Sequence, residues 1–332
     1  IRSAGGELIM PIYYGGKKIS SLYYGGKKIS SAWYGGKCVY RALTFLTTPV
    51  QSWQWTAPSA VLSVAADSRF NVYVGDYDNM NYIAHVTKLD SNGKQVWQQS
   101  VPNLVQSVAV DGNFNVYTGG RNRQVAKLDS NGNQVWQWAT SDNVISVAVD
   151  SNFNVYAGGD GGYVTKLDST GKQVWQWGAP YGVQSVAVDS KFNVYAGDGS
   201  YGDIGHITKL DGNGKKVWQW KTSSAVQSVA VDSNFNVYTG DYTGHVTKLD
   251  SNGKQVWQWT APSSANSVAV DSQFNVYAGD SANHVTKLDS NGKQVWQWTA
   301  PSSANSVAVD SQFNVYAGDS ANHVTKLQTA KQ

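Results

Sequence analysis

The amino-acid sequence predicts an all-β fold, a seven-bladed β-propeller of four-stranded antiparallel blades, from three observations. Ser-Val-Ala recurs seven times at intervals of 39 to 44 residues, a period typical of propeller blades. Each repeat holds four short apolar, aromatic and β-branched runs separated by turn residues, which predicts four strands. The chain carries 22 Asp but one Glu, and because Asp favours turns whereas Glu favours helices, this composition argues against a helical protein. The seven copies start at Ser63, Ser107, Ser146, Ser185, Ser228, Ser267 and Ser306.

The four strands of each repeat follow in a constant order. The first reads S-V-A-V-D, the second F-N-V-Y-x-G, the third V-T-K-L-D and the fourth Q-V-W-Q-W. Asp-Ser-Asn-Gly, as at Asp90–Gly93, separates the third strand from the fourth, and Asn and Gly tolerate the left-handed backbone of a tight hairpin. Short turns between consecutive runs therefore predict an antiparallel meander within each blade.

The two ends of the repeat region predict how the ring closes. Gln51–Trp55 reads as a fourth strand with no blade before it, and His323–Leu327 reads as a third strand with no fourth strand after it. The strand at residues 50–55 is therefore expected to complete the last blade. Such closure removes open sheet edges and ties the two ends of the propeller together.

The fourth strand carries two Trp that stand two residues apart and so point to the same face. Because they recur whatever the loops contain, we interpret them as a packing layer between blades. A lectin-like platform on which sugars stack is the alternative. The tryptophans concerned are Trp97, Trp136, Trp138, Trp175, Trp177, Trp218, Trp220, Trp257, Trp259, Trp296 and Trp298.

The propeller is expected to span residues 50–327, after a linker at 42–49 and before a tail at 328–332. Its repeat F-N-V-Y-A-G-D with H-V-T-K-L-D-S-N-G-K-Q-V-W-Q-W resembles the blade of pyrroloquinoline-quinone-type propellers. The quinone-dependent dehydrogenases of that type are larger and carry adjacent cysteines and a calcium-binding acidic cluster. Cys38 is the single Cys and lies outside the propeller, so the resemblance implies the fold and not the enzymatic activity.

Residues 1–41 form a separate N-terminal part, which carries seven Lys or Arg against Glu7, whereas the remainder is slightly acidic. Opposite charges indicate two roles. Gly5-Gly6-Glu7 can be encoded by a ribosome-binding sequence, so Met10 is a candidate natural start.

A ten-residue repeat fills this N-terminal part, with an aromatic pair, Gly-Gly, Lys and a β-branched residue in each copy. Two short strands about a Gly-Gly turn suit that pattern. The Y-Y-G-G-K-K-I repeats resemble those of bacteriophage tail and virion proteins, which implies an attachment or assembly module. A basic hairpin appendage with a purely structural role is the alternative. The expected attachment residues are Tyr13, Tyr14, Tyr23, Tyr24, Trp33 and Tyr34.

The loops divide into a constant and a variable set. The turns between strands one and two and between strands three and four are near copies, whereas the 2–3 and 4–1 connections differ between blades. An antiparallel meander places the variable set on one rim, and loops on a rigid scaffold carry function. This rim is the expected ligand face, with drift of surface loops as the alternative. The candidate ligand-binding residues are Tyr77, Asp78, Asn79, Tyr82, Arg121, Arg123, Tyr163, Tyr181, Tyr201 and Tyr242.

Five blades pair an Asp after the second strand with a His opening the third strand, and blades two and three lack both residues. Joint presence and joint absence predict contact across the 2–3 hairpin, where the carboxylate would fix the imidazole tautomer. A structural hydrogen bond is favoured over a ring of metal or acid–base sites, because metal sites need converging ligands. The pairs are Asp76 with His85, Asp198 with His206, Asp241 with His245, Asp280 with His284 and Asp319 with His323.

Several function classes find no support in the sequence. One Cys excludes a disulfide scaffold, and no apolar run reaches the length of a membrane span. Asp-x-Asn-Gly lacks the terminal Glu of a calcium loop, and no phosphate loop, G-x-S-x-G or H-E-x-x-H occurs. The slightly acidic propeller disfavours nucleic acid. No catalytic residue, metal or cofactor is therefore expected, and the protein is not expected to be an enzyme.

These observations lead to a binding protein as the expected function. The expected location is the virion or another extracellular surface, with the N-terminal repeats holding other virion or tail proteins. The variable rim would then recognise a host cell-surface glycan or protein, with multivalency supplying avidity. A homo-oligomer is among the expected assemblies. A structural scaffold whose propeller mediates protein–protein interaction is the alternative.

Overall fold

The structure is a computed structural model, and it describes residues 44–77, 83–102, 105–200 and 204–331 together with six short strands before residue 42. These six strands form three separate two-stranded antiparallel sheets, one for each ten-residue repeat. Aromatic residues pair with Lys, as in Tyr13 with Lys18 and Tyr24 with Lys27. The strands are β1 (Tyr13–Tyr14), β2 (Lys17–Lys18), β3 (Leu22–Tyr24), β4 (Lys27–Ile29), β5 (Ser31–Tyr34) and β6 (Lys37–Arg41).

Seven four-stranded antiparallel sheets follow, and they confirm the predicted propeller. The closing strand is β7 (Thr44–Thr56). The first strands are β8 (Ala60–Ala66), β12 (Val105–Val110), β16 (Val144–Val149), β20 (Val183–Val188), β24 (Val226–Val231), β28 (Ala265–Val270) and β32 (Ala304–Val309). The second strands are β9 (Val72–Tyr77), β13 (Val116–Gly120), β17 (Val155–Gly159), β21 (Val194–Gly199), β25 (Val237–Asp241), β29 (Val276–Asp280) and β33 (Val315–Asp319).

The third and fourth strands complete each blade in chain order. The third strands are β10 (Ile83–Leu89), β14 (Gln124–Leu128), β18 (Tyr163–Leu167), β22 (Gly205–Leu210), β26 (His245–Leu249), β30 (His284–Leu288) and β34 (His323–Lys331). The fourth strands are β11 (Gln95–Pro102), β15 (Gln134–Ala139), β19 (Gln173–Gly178), β23 (Lys216–Lys221), β27 (Gln255–Thr260) and β31 (Gln294–Thr299). The described residues contain no helix, and so none that could cross a membrane.

The ring closes as the sequence predicts, because β7 pairs with β34 as the fourth strand of blade seven. Both strands continue past the expected boundaries: β7 starts inside the segment 42–49 expected as a linker, and β34 runs into the expected tail. Their extensions pair Ala330 with Phe45, and a register shift near Pro49 accommodates a residue that cannot donate to the ladder. β-branched residues such as Thr47, Thr48 and Val50 favour this extended structure.

One hydrogen bond explains the recurring Ser-Val-Ala. The Ser Oγ of each first strand accepts the backbone N–H of Val in the next blade, at 3.0 Å in all seven junctions. Ser63 accepts from Val108, and the series ends where Ser306 accepts from Val64 across the closure. The first strands therefore pack against one another around the central axis, and the ring of bonds is continuous.

A buried carboxylate organises each turn between strands one and two. In blade three, Asp150 Oδ1 accepts the backbone N–H groups of Asn152 and Asn154, and Oδ2 accepts Asn154 Nδ2 and the Tyr156 hydroxyl at 2.9 Å. Phe153 in the same turn has φ of 64°, a left-handed conformation that is uncommon for a bulky residue. The arrangement recurs in every blade and explains the sequence D-x-x-F-N-V-Y.

Each of these tyrosines is fully buried beneath neighbouring side chains. The Tyr156 ring lies 6.0 Å from the Trp175 ring, and Lys166 Nζ lies 5.3 Å from the Tyr156 centroid. Burial, followed by the hydrogen bond to Asp150 and its charge, raises the pKa of Tyr156 well above its ordinary range. The hydroxyl therefore stays a protonated donor to the carboxylate.

The first Trp of each fourth strand packs against the next blade, which confirms the predicted packing layer. Trp136 Nε1 donates to Ser169 O at 3.2 Å, in the turn between strands three and four of blade three. Gly171 of that turn has φ of +87°, and a Cβ there would stand 2.9 Å from the Trp136 ring. Trp296 is the exception among the described residues: its Nε1 has no partner, because blade seven is closed by two chain segments instead of this turn.

Candidate functional site

The variable rim is the surface formed by the 2–3 and 4–1 connections of all blades. The opposite rim repeats one set of bonds, in which the carboxylates of Asp67 and its six counterparts hold the 1–2 turns and those of Asp90 and its counterparts hold the 3–4 turns. Four of the candidate ligand-binding residues lie outside the described residues: Asp78, Asn79, Tyr82 and Tyr201. Departures from the repeat therefore concentrate on the variable rim.

All five Asp–His pairs are in contact across or at the 2–3 turn. Nδ1 of His85 lies 2.9 Å from Asp76 Oδ1, and Nδ1 of His206 lies 3.0 Å from Asp198 Oδ1. The remaining three pairs, at His245, His284 and His323, stand at 3.2 Å. A carboxylate only accepts, so Nδ1 carries the proton and Nε2 faces away from the carboxylate.

These pairs are built as turn anchors. Asp241 Oδ1 accepts the backbone N–H groups of Thr243 and His245 and the Thr243 hydroxyl, all within 2.9 Å. Burial raises the pKa of Asp198, and the hydrogen bond from His206 opposes that rise. No three His, Cys, Asp or Glu side chains in the described part of the chain gather closely enough to hold a metal ion. The geometry favours the structural interpretation of the pairs.

Removing one anchor should destabilise the fold without any metal effect. We expect Asp241→Ala to lower the free energy of unfolding by about 1–3 kcal/mol, because several donors lose a buried acceptor. Denaturant unfolding measures this change. The control is the wild-type protein with a chelator and with added Zn²⁺, where the midpoint should not move; a midpoint that falls with chelator would contradict the structural role.

The described aromatic residues of the variable rim differ in solvent exposure. Tyr163 and Tyr242 are 44% and 38% exposed, whereas Tyr77 packs against the apolar cluster between blades one and two. The Tyr181 ring stacks on the His206 imidazole, with 5.9 Å between centroids and 10° between planes. The rim therefore offers aromatic surface at blades three to five, and Tyr77 contributes mainly to packing.

Arg121 and Arg123 are exposed in the 2–3 turn of blade two. Arg123 has φ of 57°, at the place where blades three and five use Gly162 and Gly244. A left-handed conformation costs about 1–2 kcal/mol for a residue with a Cβ. Asn283 and Asn322 have the same conformation at this position in blades six and seven, so the conformation belongs to the turn itself, and Arg123 is the bulkier side chain that blade two carries there.

The structure also contains a groove between blades one and two that the sequence interpretation missed. Its cavity is about 90 Å³, against about 10 Å³ at the equivalent place between blades two and three. Gln99 stands where the other six fourth strands have the second Trp, and Ala126 stands where the other six third strands have Thr. In the sequence, the fourth strand of blade one reads Q-V-W-Q-Q where the repeat has Q-V-W-Q-W, and this difference is the signal that indicates the groove.

These features define a seven-bladed propeller with a constant rim and a variable rim. Residues 83–225 and 203–331 match the PQQ-type repeat family described as "Outer membrane protein assembly factor BamB". The matched segments cover more than half of the chain, so the chain belongs to this family, and the predicted repeat type is confirmed. The resemblance of the N-terminal repeats to bacteriophage proteins stays a prediction.

A solved structure shares the fold at low sequence identity. The WD40 β-propeller domain of Doa1 is 16% identical, with a TM-score of 0.73, over 84% of this chain and 96% of that chain. At this identity the likeness shows the fold alone. No curated protein matches the chain.

Proposed function

We propose that this protein is a non-enzymatic binding protein whose variable rim recognises a glycan on a host cell surface. The observation that carries the proposal is the contrast between the rims. The bonds from Ser to Val between blades and the buried Asp turns recur in every blade. Exposed Tyr and Arg and the departures from the repeat stand on the other rim, where a rigid scaffold can present them.

The chemistry of the rim suits sugars. Exposed Tyr163 and Tyr242 provide rings for contact with C–H faces, and Arg121 and Arg123 provide fixed N–H donors for hydroxyl or acidic groups. Contacts of this kind are shallow and individually weak. Several copies of the propeller on one particle would multiply them through avidity.

The N-terminal hairpins are proposed to hold the protein on a virion or another extracellular surface. Their sequence combines basic charge with aromatic residues, whereas the rest of the chain is slightly acidic, and this composition suits an attachment module. The attachment residues would be those named above in the three hairpins. Mass spectrometry of purified virions tests this location, and absence of the protein from them would contradict it.

Protein binding by the same rim is the second candidate. It is favoured by the family match, since the family is described as an assembly factor for outer membrane proteins. The propeller would then act as a scaffold between partners. Binding that survives removal of glycans from the target surface would support this candidate over the first.

A rim variant should separate glycan binding from folding. We expect Arg121→Ala with Arg123→Ala and Tyr163→Ala to weaken binding to glycan-array hits and to whole cells by at least tenfold, because N–H donors and ring surface are lost. Circular dichroism verifies the fold. The matched control is Lys172→Ala with Lys254→Ala, which removes two exposed cations from the constant rim.

The control pair should bind as the wild type does. Equal loss in both variants would point to general charge attraction instead of a site on the variable rim. Undiminished binding by the rim variant would refute the placement of the ligand face.

A further inference from the structure

We propose that the groove between blades one and two holds one pyranose ring of the bound glycan; this assignment rests on the glycan-binding function proposed above. The groove is lined by Val101 and Val105, which flank the 4–1 connection, and by residues of blade two that include Gly120, Asn122 and Gln137. It is therefore continuous with the variable rim.

Two substitutions in the repeat open this one gap. In blade two, Trp138 of the fourth strand packs on the cluster that includes Val144 and Val155 of blade three. Trp138 also lines the small cavity between blades two and three, whereas Gln99, its counterpart in blade one, does not line the groove. Gln99 instead turns towards the 3–4 turn of blade two, where a Cβ on Gly132 would stand 3.3 Å from Gln99 Cγ. A shorter side chain thus replaces an indole at this place.

The second departure from the repeat, Ala126 in blade two, enlarges the same groove. Ala126 pairs with Thr118 and with Gln137 across blade two, and all three line the groove. In blade four, the equivalent Gln219 donates to the Thr208 hydroxyl at 3.0 Å. Ala126 has no hydroxyl, and Gln137 instead accepts from Gln134.

The polar groups of the groove match hydroxyls. Asn122 Nδ2 donates to Gln124 Oε1 at 3.1 Å, while Asn122 Oδ1 is buried without a partner among the described residues. An unpaired buried acceptor costs free energy that a donor from a ligand would recover. A sugar hydroxyl both donates and accepts, so it can satisfy Asn122 Oδ1 and also accept from an amide N–H.

The rest of the lining suits the carbon face of a ring. Val101 and Val105 give the lining an apolar part beside the amide side chains. A pyranose presents C–H groups on one face and hydroxyls at its edge, which suits a lining that combines apolar groups with amides. A Phe side chain from a protein partner would leave Asn122 Oδ1 unpaired, and a Tyr or Trp side chain would bring a single polar group. A sugar brings several hydroxyls to the amides of Asn122, Gln124 and Gln137, so the polar lining favours the sugar.

The test replaces both unusual residues of the groove by those of the other blades. Gln99→Trp combined with Ala126→Thr gives blades one and two the residues that the other blades carry at these positions, so the variant should fold and the groove should close. The probes are glucose, galactose, mannose and N-acetylglucosamine in ligand-observed saturation-transfer NMR, together with array glycans that bind the wild type. We expect binding of the responding sugars to weaken at least tenfold, with an unchanged or higher melting temperature.

A matched control opens a different gap. Trp177→Gln places Gln between blades three and four, where Thr208 remains, and its binding should equal that of the wild type. If the closed-groove variant binds array glycans as tightly as the wild type, the groove assignment is overturned and the glycan-binding rim stands. If the wild type binds no glycan at all, the proposed function fails together with the groove.

Discussion

Alkaline unfolding of the propeller is expected to be steep and to begin above pH 10. Seven tyrosines, one for each blade, are fully buried, and each hydroxyl donates to the carboxylate of its own 1–2 turn, as Tyr156 does to Asp150. Burial and the neighbouring carboxylates raise the pKa of every one of them far above its ordinary value. They are Tyr73, Tyr117, Tyr156, Tyr195, Tyr238, Tyr277 and Tyr316.

The sign of the effect follows from proton linkage. Above the unfolded pKa near 10, the unfolded chain releases the tyrosine protons while the folded protein keeps them, so the unfolded state is favoured as pH rises. Each group contributes a slope of up to about 1.4 kcal/mol per pH unit, so seven contribute up to about 10. Stability is thus fully present below pH 10 and is lost above it.

Four lysines have the opposite effect on the pH dependence of stability, at pH values just below and around 10. Burial lowers the pKa of Lys88, Lys209, Lys287 and Lys326. Between each folded pKa and the ordinary value near 10.4, the unfolded chain binds more lysine protons, so stability rises with pH there. Because seven tyrosines oppose four lysines, the tyrosine slope should dominate from about pH 10 upward, once the unfolded tyrosines ionise.

Tyrosinate absorbance and circular dichroism, recorded across pH 9–12, measure this transition. Absorbance of the buried tyrosines should appear together with loss of the β signal. Tyr156→Phe should reduce the slope by about one seventh, since it removes one of seven buried phenols. The control Tyr163→Phe, which removes an exposed hydroxyl on the variable rim, should leave the slope unchanged. Ionisation of all tyrosines before any loss of structure would contradict the linkage.

The elements of the fold were readable from sequence because each recurrent residue has a local task. Asp150 satisfies backbone donors two and four residues away, and Gly171 supplies a left-handed turn beneath a Trp. Such local requirements repeat with the blades and leave a visible period. The unpaired fourth strand at one end and the unpaired third strand at the other predicted the closure.

The groove, the strained turns and the strand extensions were harder to predict. A local pattern does not show that the indole missing at Gln99 of blade one and the hydroxyl missing at Ala126 of blade two leave space in the same gap, because the two positions are 27 residues apart in sequence and in different sheets. The left-handed φ of Phe153 also contradicts ordinary propensity, and the surrounding bonds to Asp150 impose it. The pairing of Ala330 with Phe45 depends on ring closure, which sequence windows near each terminus do not contain.

Removal of the closing strand is expected to prevent stable folding. β7 places Trp53 against Tyr316 and Trp55 among the apolar residues between blades seven and one. Both indoles are partly buried, so the contribution of a buried Trp, about 3–5 kcal/mol, is an upper bound for each. Their joint loss still removes a large part of the about 5–15 kcal/mol that stabilises a typical domain. The deletion also leaves β34 as an unpaired edge. We expect a chain lacking residues 1–57 to lose cooperative thermal unfolding and to aggregate.

A shorter deletion provides the matched control, because removing residues 1–41 eliminates the hairpins and keeps all of β7. That chain should retain the cooperative melting transition of the full-length protein and stay in solution without aggregating. A synthetic peptide of residues 44–57 should restore folding to the longer deletion when it is added during refolding, since it supplies the missing fourth strand of blade seven. Cooperative unfolding by the longer deletion without the peptide would show that six complete blades and a three-stranded seventh are sufficient, and that closure between the two chain ends does not hold the ring together.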